Sequence, residues 1–160
     1  MKQAEVNREN LIKLIENLRK EDKKELKYEF GNNFKDKFIK ITLNSGEKYF
    51  FADEFKNPLA IGGVEKTTVD NLKIGQVWLI SSKYFSFRNL ELIKFIKSKI
   101  EDYQNDYDIL FNKIYKSNYN ALKWLTKCGF KVLDISLNND YKLFYFTKGG
   151  INFDLRYITR

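Results

Sequence analysis

The residues with the clearest chemical potential lie between Asn118 and Phe130, in the stretch NYNALKWLTKCGF, where a side-chain amide, a small residue three positions on and a Gly-Phe pair stand at helix-and-strand spacing. The Asn118 carboxamide oxygen can accept an exposed first-turn N–H and so cap a helix. Ala121 then falls on that first turn, and Trp124, Leu125 and Cys128 form a one-sided apolar stripe. Gly129 supplies the left-handed residue that ends a helix, and Phe130 opens the β-rich run FKVLDIS. Other chemistries are excluded. With no His and a single Cys in the chain, a zinc site and a Ser-His or Cys-His hydrolase are ruled out. Cys128 cannot form an internal disulfide and reads as a small core residue.

The elements that must position this unit can be read outward from it. Val6 to Leu18 carries Leu11, Ile12, Ile15 and Leu18 on one helical face, and a charged helix follows from Lys20 to Phe30 with Glu21 and Asp22 at its positive end. KFIKITL (37–43) and KYFFA (48–52) read as strands joined by the turn NSGE. Pro58 introduces PLAIGGVE, a strand whose Gly62 and Gly63 suggest a bulge or a tight end. QVWLISS (76–82) is a near-continuous apolar run of the kind buried on both sheet faces. Arg88 to Asp106 is a long helix, with Ile93, Ile96, Ile100, Tyr103 and Tyr107 inward and Lys94, Lys97 and Lys99 outward. ILFNKIY is a further strand. FKVLDIS and YKLFYFTK, joined by LNND, should pair antiparallel. The fold class expected is α+β, a mixed and mostly antiparallel sheet flanked by helices. QVWLISS and ILFNKIY would form a parallel pair bridged by the long helix. Residues 1–150 form one domain and 151–160 an extension, whose Phe153, Leu155, Tyr157 alternation suits an edge strand or a docking tail.

This arrangement resembles the Gcn5-related N-acetyltransferases, in which Asn-x-x-Ala opens a helix beside an acyl-CoA thiol and Gly-Phe starts the penultimate strand. Asn118, Ala121, Gly129 and Phe130 fall on those positions. The register of PLAIGGVE, VWLISS, FRNLELIKFIKSKIEDYQNDYDILFNKIY and SNYNALKWLTKCGF is similar, more narrowly, to the acetyltransferase-like internal virion protein A family of short-tailed phages. The resemblance implies acetyl-CoA as cofactor and a parallel strand pair splayed to admit its pantetheine arm. It places Leu79, Ile80, Ser81, Ser82, Arg88, Asn89, Asn118 and Ala121 at the cofactor, with the pyrophosphate near Ser82 to Asn89 and the thioester beside Ile80 and Asn118. Two departures stand out. Leu125 occupies the place of the family's usual proton-donating Tyr, and the connection SSKYFSFRNLE lacks the glycines that let amides close on a pyrophosphate.

The acetyl transfer that the resemblance implies needs a base for the amine and a proton for the departing thiolate. Glu25, Glu54 and Glu65 are the carboxylates considered for the first role, Tyr115 and Tyr119 the phenols for the second. Lys83 and Arg88 could add charge at a phosphate. The class opposed to an enzyme is a catalytically silent scaffold, a virion component or host-interaction factor, with its groove filled by Tyr84, Phe85 or Phe87.

At 160 residues, 43% hydrophobic and 16% aromatic, the chain can bury a real core. The formal charge of +8 suits nucleic acid or an acidic protein surface, but the lysines are scattered among 21 acids and form no basic run, so nucleic-acid binding is weakly supported. The expected partners are an acyl-CoA and an amine substrate or protein. Apolar runs stay below membrane-spanning length, and MKQAEVNREN lacks the apolar centre of a signal peptide. A reducing host cytoplasm, with packaging in the virion as a further destination, is the expected location.

Overall fold

The computed structural model describes residues 1–133 and 140–157. In chain order the elements are strand β1 (Lys2–Ala4), helices α1 (Arg8–Glu16), α2 (Lys20–Phe30) and α3 (Phe34–Asn44), strands β2 (Glu47–Ala52), β3 (Pro58–Val69) and β4 (Leu72–Ser81), helix α4 (Leu90–Asp106), strand β5 (Ile109–Tyr115), helix α5 (Tyr119–Lys127), and strands β6 (Lys131–Leu133) and β7 (Tyr141–Thr147). The strands join one sheet in the order β1-β2-β3-β4-β5-β7-β6. β4 and β5 run parallel, while β1 with β2, β2 with β3, β5 with β7 and β6 with β7 run antiparallel. This is the α+β sheet expected from the sequence. The LNND link, apart from Asp140, lies outside the described residues.

The chain divides into two compact units. The first comprises Met1–Val64 and Trp78–Ile93. Its core is built by Leu11, Leu14 and Ile15 of α1, Leu26 of α2, Phe34, Phe38 and Ile39 of α3, and Phe50, Ile61 and Ile80 of the strands. Helix α1 starts where the Asn7 side chain accepts the Asn10 N–H at 2.9 Å, an N-cap that ends the coil cheaply. Helix α2 covers the span read from its charges. KFIKITL, in contrast, is not a strand. It lies in α3, where Phe34, Phe38, Ile39 and Thr42 are buried at steps of four, one and three while Ile41 is exposed. The β-branched residues suggested a strand, but the stripe that packs is helical, and tertiary burial overrides that propensity. Strand β1, three residues long, carries no pattern that would have revealed it.

Gly62 and Gly63 sit inside β3 and not at its end. The register irregularity between β2 and β3 falls instead at Phe51 and Ala52. A Cβ at Gly63 would lie 2.1 Å from the Glu47 carbonyl oxygen, and one at Gly62 would lie 2.8 Å from that of Trp78. Both glycines are there because neighbouring backbones leave no room for a side chain.

The second unit comprises Glu65–Val77 and Lys94–Arg160. Here β5 pairs with β7 from Ile109↔Thr147 to Tyr115↔Tyr141. Phe130 packs edge-on against Phe144 at 5.2 Å, and Tyr115 against Tyr141 at 5.5 Å. The end of α5 follows the sequence reading closely. Gly129 has φ +88°, its N–H donates to the Thr126 carbonyl, and the Phe130 N–H donates to that of Leu125, both at 3.1 Å. These are the paired bonds of a Schellman motif. The Gln104 side chain of α4 adds a 2.9 Å bond to the Cys128 carbonyl, satisfying one more helix-end acceptor. Gly129→Ala should therefore cost about 1 kcal/mol from the left-handed backbone alone, since an added Cβ would meet nothing closer than Gln104 at 3.6 Å. Urea denaturation would read this as a lower midpoint at unchanged m-value. In the extension, Phe153 stacks on Tyr145 at 4.1 Å and Leu155–Tyr157 form a short 3-10 turn.

Candidate functional site

The candidate cofactor residues divide between the units. Leu79, Ile80, Ser81, Ser82, Arg88 and Asn89 belong to the first, whereas Tyr115, Asn118, Tyr119 and Ala121 belong to the second. Ile80, Ser81 and Ser82 are buried, Leu79 and Asn89 are half-buried, and Arg88 is exposed.

The connection from β4 to α4 is bonded to its own surroundings. The Ser81 N–H donates to Asp22 Oδ1 at 3.1 Å, the Ser82 N–H to the Leu59 carbonyl at 2.9 Å and the Lys83 N–H to the Asn17 carbonyl at 2.8 Å. Ser82 Oγ donates to the Pro58 carbonyl and accepts the Tyr84 N–H. The Phe85 and Asn89 N–H groups donate to the carbonyls of Ser82 and Ser86, and the Arg88 N–H to Ser86 Oγ. Asn89 accepts the Leu92 N–H at 3.1 Å and so caps α4. These eight amides do not form an open anion nest. The aromatic residues here pack locally: Phe85 is buried edge-on against Phe87 at 5.1 Å, and Lys83 lies over Tyr84 at 5.2 Å.

Asp22 is the group at this end of β4 that sequence reading missed. It was legible only as an acid near a helix N-terminus. In the structure it is 5% exposed and also receives the Ser81 hydroxyl at 3.1 Å. Arg19 Nε stands 3.6 Å from it, and the Arg19 N–H donates to the Ser81 carbonyl at 3.1 Å. Loss of water around the carboxylate pushes its pKa up to about 6, against the opposing pull of Arg19 and the Ser81 bonds.

In the second unit Asn118 stands at the N-cap of α5 and is buried, yet its side chain makes no cap hydrogen bond. The expected capping role is thereby corrected. The backbone, with φ −82° and ψ 60°, departs from the extended form that aims a capping side chain at the first turn. Ala121 is half-buried on the first turn, as the spacing requires. Leu125 is a buried core residue. Tyr119 is 74% exposed, and Tyr115 is half-buried beside Tyr141. Cys128 is half-buried, and loss of hydration raises its thiol pKa, in keeping with an inert core role.

The parallel pair is short. β4 and β5 are registered at Ile74↔Ile109, Gly75↔Leu110 and Gln76↔Phe111, and the ladder ends there although β5 continues to Tyr115. One step on, Asn112 Nδ2 donates to the Val77 carbonyl at 2.7 Å, while Asn112 Oδ1 accepts the Lys113 N–H at 2.8 Å and Gln76 Nε2 at 3.2 Å. A poor β-former inside ILFNKIY was the available signal for this residue. Of the three carboxylates weighed from sequence, Glu54 is exposed and Glu25 is half-buried on α2. Glu65, on β3, is different: its Oε1 is buried and has no hydrogen-bond partner. Such an orphan calls for a physical explanation. Among the described residues, no cluster of His, Cys, Asp and Glu could hold a metal ion, and no helix is long and apolar enough to cross a membrane.

No family model matches the sequence, and no curated protein matches it. The backbone nevertheless superposes on known enzymes. Spermidine N-acetyltransferase from Vibrio cholerae, in complex with CoA and spermine, is similar with a TM-score of 0.62 at 13% identity, over 91% of this chain and 94% of that one. An acetyltransferase of Bacillus subtilis in complex with CoA gives 0.58 at 16% identity, over 92% and 97%. A chain of the NatC complex bound to Gag peptide and CoA gives 0.62 at 14% identity, over 92% and 96%. The mostly antiparallel sheet, its one parallel pair and these superpositions agree, and the chain has the Gcn5-related N-acetyltransferase fold.

Proposed function

We propose that the protein is an N-acyltransferase that takes acetyl from acetyl-CoA and delivers it to an amine. The observation that carries this is the β4–β5 ladder within the second unit, which stops at Gln76↔Phe111 although β5 continues to Tyr115. Strand-edge groups past the end of such a ladder suit the amides of a pantetheine arm, and Lys83 and Arg88 would meet the phosphates as charged side chains. Bound acetyl-CoA supplies a thioester whose carbonyl carbon is the electrophile and whose sulfur leaves with the bonding electron pair. Glu65 is the base in this reading, taking the proton that the amine must shed as its nitrogen bonds to the acyl carbon. Its orphan oxygen supports that role. The phenol of Tyr115 or Tyr119 returns a proton to the sulfur.

Glu65→Gln keeps the shape of the side chain and removes its capacity to take a proton. Turnover should fall by about 100-fold or more, with little change in acetyl-CoA affinity. The assay is thiol release from acetyl-CoA against a panel of polyamines, aminoglycosides and peptide N-termini. Amine-dependent release by the native chain is expected. Release that survives Glu65→Gln undiminished would remove Glu65 from the mechanism.

A second reading is favoured by the internally bonded amides between Ser81 and Asn89 and by Leu125 in place of Tyr. In it the protein is a catalytically silent component of a phage virion, or a host-interaction factor, on the same fold. Kinship to the internal virion protein A family and residence in the host cytoplasm and virion belong to this proposal. A chain that binds acetyl-CoA but releases no thiol with any amine would select it.

A further inference from the structure

We infer that Asn112 is a positioning residue that fixes where the parallel ladder stops, and thereby which β4 backbone groups are left for the acyl carrier. The inference rests on the acyl-CoA reading above. Continuing the observed register by one residue would set Val77 opposite Asn112. The Val77 carbonyl and the Lys113 N–H are the acceptor and donor that one further N–H···O=C bond would join. Both are already taken, by opposite ends of the same carboxamide, at 2.7 Å and 2.8 Å. The side chain has replaced a backbone bond between strands. Gln76 Nε2, at 3.2 Å from Asn112 Oδ1, supports the carboxamide from the last paired residue.

The replacement satisfies both backbone groups while keeping their strands apart by the width of an amide. A buried carbonyl or N–H left without a partner would be costly, so a ladder cannot simply end in the middle of a sheet. It needs a residue with one donor and one acceptor at the right separation, and a carboxamide has both. Asn112 does not lose its own place in β5, because on the other edge it remains registered with Phe144 of β7. A valine at this position would favour an extended strand and offer neither hydrogen-bonding group. The Lys113 N–H could then donate directly to the Val77 carbonyl, and pairing could run on toward Leu79.

The test is Asn112→Val, with Asn112→Ser as a second variant whose hydroxyl can reach one of the two groups but cannot bridge them. Amide hydrogen exchange at Leu79, whose N–H lies on the same edge of β4 as the Val77 carbonyl, is measured in the free proteins, and acetyl-CoA affinity by titration calorimetry. The expected result is slower exchange at the Leu79 amide together with affinity weakened by about tenfold or more, Ser showing the smaller effect. A residue that merely stabilised the strand would give the opposite sign, since its loss loosens the sheet and speeds exchange. Faster or unchanged exchange, in whichever variant folds, overturns the inference. So does slower exchange with unchanged affinity. If the native chain itself fails to bind acetyl-CoA, the function proposal fails, while the sign of the exchange change still decides whether Asn112 stops the ladder.

Discussion

Gly63→Ala should destabilise the protein by about 3 kcal/mol or more, enough to unfold a large share of a marginally stable chain. The added Cβ would lie 2.1 Å from the Glu47 carbonyl oxygen and 3.1 Å from the Lys48 Cα. Neither obstacle is the movable end of a side chain. Relief requires β2 and β3 to part where Lys48 pairs with Gly63 and Glu47 with Val64. Inward-facing Phe50 and Ile61, both in the core of the first unit, lie a few residues along the same two strands. Gly31→Ala is the control for a merely added methyl, since a Cβ there meets nothing within 4 Å, though its φ of +72° carries the strain of a left-handed residue. Thermal melting should place Gly63→Ala far below Gly31→Ala. Equal melting temperatures would show that β2 and β3 can open at no cost.

The second large effect concerns Asp22. Asp22→Ala leaves the Ser81 N–H, the Ser81 hydroxyl and Arg19 without the carboxylate that serves all three, and loss of one partner in such a buried pair costs about 3 kcal/mol. Replacement by asparagine should be much milder, because one oxygen still accepts from Ser81. The two substitutions separate hydrogen bonding from charge, and pH separates them further. The folded-state pKa, at about 6, lies above the ordinary value of 3.8. Between those values the native state holds more protons than the unfolded one, so stability falls as pH rises. Asp22 therefore contributes most at acid pH, and its ionisation costs stability up to about pH 6. The carboxamide of Asp22→Asn does not titrate in that range. Denaturation from pH 4 to pH 7 should show native stability declining relative to Asp22→Asn by a few kcal/mol, then running parallel. A constant difference across that range would mean that Arg19 and Ser81 fully compensate burial.

Much of the fold was legible because its signals are local. The stripe of α1, the charges of α2, the apolar run of β4 and the Gly129-Phe130 stop each declare an element within a dozen residues. α3 misled because Ile39, Ile41 and Thr42 favour strands intrinsically, while the burial of Phe34, Phe38 and Ile39 that makes the segment a helix depends on residues far away in sequence. The same distinction explains the candidate site. The parallel pair was readable from its two strands, but its stopping point depends on a side chain reaching across 35 positions, from Asn112 to Val77. The Asp22–Ser81 link spans 59. Asn118 illustrates the reverse case: its type and place fit a cap, and only the backbone angles show that the side chain is not used so.

An acyl-CoA-dependent transferase must bind its acyl carrier. Titration calorimetry of the native chain with acetyl-CoA is the most direct measurement, with desulfo-CoA as a second ligand lacking the thioester. The expected outcome is micromolar binding of acetyl-CoA, retained by Glu65→Gln and weakened by Asn112→Val. Absence of heat at millimolar acetyl-CoA, from a chain whose melting curve shows it folded, would contradict the acyl-CoA reading and leave the fold without this use.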